Sequence, residues 1–198
     1  GEREKIKQEG QAQVAQAAAN VFDADKLIST FVGPDGAKKV ADEQTARTFA
    51  VGSRIVEEQT AIAQEEGLGP KEMAANIEKG FQQEAIAESI AQLEKDGVVG
   101  DEAKQIADLK AQQTKLNAGQ EVDASELADI LARDKDKAES SGSAVDAYNL
   151  MQGAGLEAQA LAAQQQQVEK LDALNVKSLE EIQVAKKNQI EAQKTREA

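Results

Sequence analysis

The stretch Leu156–Leu171 carries no glycine, proline, histidine or cysteine and is written mainly in Ala, Gln, Leu and Glu. These are four strong helix formers. Much of the chain repeats the pattern: helix after helix of Ala and Gln behind a thin apolar stripe. The expected fold is all-α, an elongated multi-helix bundle or array of about seven helices ending in a C-terminal helical hairpin.

The side chains available limit how such helices can pack. Of 198 residues, 36 are Ala; aromatics make up 3% and Trp is absent. A core of Leu, Ile, Val and Ala suits helices lying close side by side. Each Ala buries little area at roughly 25 cal/mol per Å², so an extended array completed by other subunits is expected.

Taken in order, Ile6, Gly10, Val14, Ala17, Val21, Ala24 and Ile28 recur at helical steps. Gly10, Ala17 and Ala24 are small enough for another helix to approach closely. Gly33-Pro34-Asp35-Gly36 is a turn signal. A second helix spans about 37 to 66, with polar Gln44, Arg47 and Glu58 on its apolar side. Pro70 is placed as the first residue of a third helix, to about Lys95. Its apolar face changes sides near Gly80: Met73, Ile77 and Phe81 share one face, and Ile86, Ile90 and Leu93 the other. A helix of this kind sits between two layers or passes from one partner to another.

A fourth helix runs from 102 to about 116. Asp123, with Glu126 three residues on, has capping-box spacing for a fifth. Ser140-Ser141-Gly142-Ser143 is the best linker, separating a helical domain at 1–139 from a hairpin at 143–198, unless the two form one continuous domain. Gly153 and Gly155 are candidate kinks in a sixth helix, and Ser178-Leu179-Glu180-Glu181 is a full capping box for a seventh. That last helix carries too thin a stripe to be held firmly without a partner.

The charge is −13. Direct nucleic-acid binding by the acidic middle, and attraction to anionic membranes, are disfavoured. From Glu57 to Asp108 there are 13 acidic and 4 basic residues, net −9; from Lys177 to the C-terminus the balance is 5 basic to 4 acidic. The C-terminal helix is therefore the part freest to approach an anionic partner. No apolar run has the length of a membrane span, and no signal-peptide pattern occurs. The chain begins with Gly rather than Met, as expected of a processed product or excised fragment.

Chemistry is sparsely provided. There is no His and no Cys, which removes the usual acid–base, triad, thiol, zinc-finger and Fe–S arrangements. No phosphate-binding glycine pattern occurs. Asp134-Lys135-Asp136-Lys137 resembles the start of a calcium loop but has Ala138 at the fifth position and Glu139 where the loop requires Gly. No catalytic, cofactor or metal residue is expected.

In composition the chain resembles internal or ejection proteins of short-tailed phages and helical secretion-apparatus subunits; no motif carries the resemblance. It implies a non-enzymatic structural protein that works by helix–helix self-association as a homo-oligomer, in a virion or secreted. The candidate interaction residues are Gly10, Ala17, Ala24, Leu156, Gln164, Gln167, Leu171, Ile182 and Ile190. The alternative is an acidic adaptor or secreted effector offering the Glu57–Asp108 surface to a protein partner.

Overall fold

A computed structural model of the chain describes residues 1–23, 43–95, 97, 100–134 and 143–197. Among the described residues there are seven α-helices and no strand: α1 (Glu2–Val21), α2 (Glu43–Glu66), α3 (Pro70–Lys95), α4 (Asp101–Asn117), α5 (Ala124–Leu131), α6 (Ser143–Gly153) and α7 (Leu156–Glu197). A single 3₁₀ turn, Ala132–Asp134, follows α5. The all-α multi-helix array expected from the sequence is the architecture observed. No described helix is long and apolar enough to cross a membrane.

Helix α3 is the hub. It packs against α1, α2, α4, α6 and α7, as a helix apolar on two faces must. Met73, Ile77 and Phe81 on one face, and Ile86 and Leu93 on the other, are all buried. Aromatic side chains are scarce, and three of the four Phe meet here. Phe22 stacks on Phe81 with centroids 5.3 Å apart and meets Phe49 edge-on at 6.4 Å. Elsewhere small residues set the spacing. A Cβ on Gly52 would fall 2.2 Å from the Phe22 ring, and one on Gly10 would fall 2.8 Å from Pro70 Cγ. The buried cluster continues through Tyr148 and Met151 of α6 to Leu156, Ala160 and Ala163 of α7.

Helix ends follow local chemistry where it is strong. Asp123 caps α5 by accepting from the backbone N–H groups of Ser125 (2.9 Å) and Glu126 (3.3 Å). Pro70 opens α3. Gly67, at φ 68°, closes α2 while the Leu68 N–H returns to the Ala63 carbonyl at 2.9 Å.

The C-terminal part differs from the sequence reading. A break was expected before Ser178, but α7 runs without interruption for 42 residues, about 63 Å. The break falls at Ala154-Gly155, where Gly155, one of the two glycines expected to kink the sixth helix, takes φ 62°. The reason is local. Asn175-Val176-Lys177 contains neither Gly nor Pro, so nothing stops a helix already propagating from Leu156. A capping box favours a helix start only where the preceding turn is broken. The turn signal at 33–36 and the linker at 140–142 lie outside the described residues.

Candidate functional site

Helix α7 has two halves with different surroundings. The first half lies antiparallel on α1. Gln13 Nε2 donates to Gln166 Oε1 at 3.3 Å, Lys170 Nζ meets Glu9 Oε2 at 2.8 Å, and Arg3 Nη2 donates to Asn175 Oδ1 at 2.6 Å. Between these rungs Gly10 faces Gln167, and one to two turns before the first of them on α7 Ala163 and Ala160 are buried. Donation from the Lys170 ammonium, then its charge, holds the Glu9 carboxyl below the usual glutamate range.

Because the pairing is antiparallel, α1 reaches its first turn opposite Asn175. Beyond that point α7 has no described neighbour alongside it. Every residue from Asn175 to Arg196 is exposed, including Val176 (56%), Leu179 (60%), Ile182 (52%), Val184 (59%) and Ile190 (55%). We refer to this part as the arm. The helical repeat sorts its side chains. Val176, Leu179, Lys186, Lys187, Ile190 and Lys194 recur at three-, four- and seven-residue steps and so share one face. Between Val176 and Lys194 no acidic residue falls within that face; Glu180 and Glu191 lie at its edge and Glu181 on the opposite side. An apolar row flanked by three lysines is therefore presented to solvent.

At the other end of α7 lies a groove of about 430 Å³. The N-terminal half of α3 forms one wall with Ala74, Glu78 and Gln82, and the α6–α7 bend forms the other with Met151, Leu156 and Glu157. Glu121 and Val122 close one side, and Lys71 and Lys79 stand on the α3 wall. Tyr148 is fully buried nearby, and its hydroxyl has no hydrogen-bond partner among the described residues. Burial raises its pKa, and the negative charges of Glu78 and Asp123 raise it further; Gln82 acts the other way. Gln82 is thus close to the hydroxyl without hydrogen-bond geometry.

Helix termini in the body are satisfied by side chains from distant helices. Gln11, 3% exposed, donates to the Ala63 carbonyl at 3.2 Å and also to Leu68 O, tying off the end of α2. Gln105, 2% exposed, donates to Ile130 O at 3.0 Å and does the same for α5. Glu88 of α3 accepts from the Ala144 N–H at the start of α6. These three roles escape a reading based on apolar stripes. The available signal was that Gln11 and Gln105 each sit beside a stripe residue, Gly10 and Ile106.

The candidate interaction residues fall into distinct places. Gly10 and Leu156 are buried in the chain's own packing, and Gly10 and Gln167 meet in the α1–α7 seam. Ala17 and Leu171 are half-buried. Gln164, Ile182 and Ile190 are exposed on α7. Ala24 lies outside the described residues, as does most of the calcium-loop-like segment after Asp134. Among the described residues no group of acidic side chains is arranged to hold a metal ion.

The acidic stretch of α2 to α4 is partly neutralised within the molecule. Arg54 bridges Glu58 (3.3 Å) and Glu84 (2.9 Å), Lys110 meets Glu94 at 3.4 Å, and Arg133 meets Asp108 at 2.7 Å. No family model, curated protein or solved structure matches the chain.

Proposed function

We propose that this chain is a non-enzymatic helical assembly protein whose body holds α7 rigidly and whose arm joins it to further copies. The observation that carries the reading is the exposed arm. Five branched apolar side chains, Val176, Leu179, Ile182, Val184 and Ile190, are each more than half exposed along one helix. Val176, Leu179 and Ile190 among them share one face, and an exposed apolar row of this kind marks an interaction surface. The body supplies the anchor: the α1–α7 seam and the Leu156–Ala160–Ala163 row fix the root of the helix. The lack of His and Cys and the chain's composition are in keeping with a structural role, such as a virion-internal or secretion-apparatus component. The internal pairing of Glu58, Glu84, Glu94 and Asp108 makes the acidic-adaptor reading the weaker one.

The test is light scattering against concentration, with melting followed by circular dichroism. The wild-type chain should associate across the micromolar-to-millimolar range. Leu179→Asp with Ile182→Asp should leave a monomer with an unchanged melting temperature, since neither side chain touches the body. A wild-type chain that stays monomeric throughout that range refutes the proposal.

A further inference from the structure

The groove and the arm sit at opposite ends of the same helix, and their surfaces are complementary. The groove is lined by Val122 and the already buried Ala74, Met151 and Leu156, with acidic Glu78, Glu121 and Glu157 and basic Lys71 and Lys79 around them. The arm offers Val176, Leu179 and Ile190 flanked by Lys186, Lys187 and Lys194. We infer that the arm of one copy docks in the groove of the next, so that the chain assembles head to tail along the direction of α7. This deepens the assembly reading and rests on it.

Two features favour this occupant. The first is charge: three carboxylates, Glu78, Glu121 and Glu157, line the groove against Lys71 and Lys79, whereas the charges within the arm face, Lys186, Lys187 and Lys194, are all basic. Attraction of opposite patches sets orientation and register more than affinity. An arm-to-arm pairing through the same face would instead bring the lysines of two copies together. Glu180 and Glu191, at the edge of that face, are placed to meet Lys71 and Lys79.

The second feature is geometry. A contact between two different surfaces is heterologous, so it propagates instead of closing on itself as a two-fold dimer does. Groove and arm lie at opposite ends of a helix of about 63 Å, so successive copies extend the assembly, as a ring where the rotation between copies closes and as a filament where it does not.

Charge reversal at exposed positions tests the inference in the full chain. Glu121→Lys with Glu157→Lys reverses the groove rim; Lys187→Glu with Lys194→Glu reverses the arm. All four side chains are exposed, so each variant should melt like the wild type. Each variant alone should associate at least about tenfold more weakly in light scattering. Mixing the two should restore association, since each basic arm then finds an acidic groove and each acidic arm a basic one. One chain carrying all four changes should also assemble. If groove reversal leaves association unchanged while Leu179→Asp with Ile182→Asp abolishes it, copies join arm to arm and the inference falls with the assembly reading intact. If mixing restores nothing, the inference also falls. A wild-type chain that never associates removes both.

Discussion

The Glu88 carboxylate of α3 accepts the Ala144 backbone N–H at 2.9 Å, so the first turn of α6 is capped from a residue 56 positions earlier in the chain. The other carboxylate oxygen is buried and unpaired among the described residues. Burial raises the Glu88 pKa above the ordinary glutamate value of 4.5, and the charges of Asp146 and Glu84 add to the rise, against the Ala144 bond. A carboxyl whose folded pKa is raised contributes stability that is complete below its unfolded value. That contribution is lost as pH rises through the folded value. Glu88→Gln keeps an acceptor for Ala144 and removes the charge. Relative to wild type it should gain stability as pH rises from 4.5 toward neutrality, read as the urea midpoint at each pH. Glu88→Ala should cost about 1–2 kcal/mol, because the cap is lost at every pH.

The bond from Gln105 to the Ile130 carbonyl makes an opposite demand on the core. Gln105→Leu adds apolar surface at a buried position, which the hydrophobic term alone would favour. It also strands the Ile130 carbonyl, and an unpaired buried acceptor costs about 1–3 kcal/mol. The stranded acceptor should prevail, giving a net loss of about 1–2 kcal/mol. Urea unfolding should show a lower midpoint at unchanged slope. A neutral or stabilising result would mean that water reaches Ile130 O once the amide is gone.

Glycine substitutions should separate close packing from helix propensity. Alanine gains up to about 1 kcal/mol over glycine in a helix interior. At Gly52 the new Cβ would fall 2.2 Å from Phe22, whose ring is held by stacking on Phe81. Overpacking of this kind costs about 1–3 kcal/mol, so Gly52→Ala should destabilise on balance. At Gly153 nothing lies within 4 Å, and Gly153→Ala should be neutral or mildly stabilising. Thermal melts of the two variants should move apart, with Gly52→Ala lower.

These residues show what the sequence made legible. Stripe arithmetic located α3 between two layers, because a change of apolar face at Gly80 is written directly in Met73, Ile77, Phe81, Ile86 and Leu93. It also located the Asp123 cap, which depends only on residues within the same turn. It missed Gln105 and Glu88, whose partners lie 25 and 56 residues away. A polar side chain beside a stripe looks the same whether it meets water or a distant carbonyl. It marked Gly155 as a kink but placed a further break before Ser178, for a related reason. The capping box at Ser178 is a local preference, whereas the continuity of α7 reflects a long run without a helix breaker. The groove brings together residues 71 to 160 and has no local signature at all.

Hydrogen exchange reads both halves of α7 in one experiment. In dilute solution the amides of Leu156–Leu174 are held by α1 and α3, so they open only with the body. The amides from Lys177 to Arg196 have no tertiary cover and should exchange much faster, since a helix without packing is marginal in water. The boundary should fall near Asn175, the residue that Arg3 bonds at 2.6 Å. Raising the concentration should slow exchange in the arm and leave Leu156–Leu174 unchanged. Under head-to-tail docking it should also protect the groove segments around Glu121 and Gln152. If the arm becomes protected without those segments, the copies meet along their arms. An arm that exchanges quickly at every concentration has no partner in its own kind.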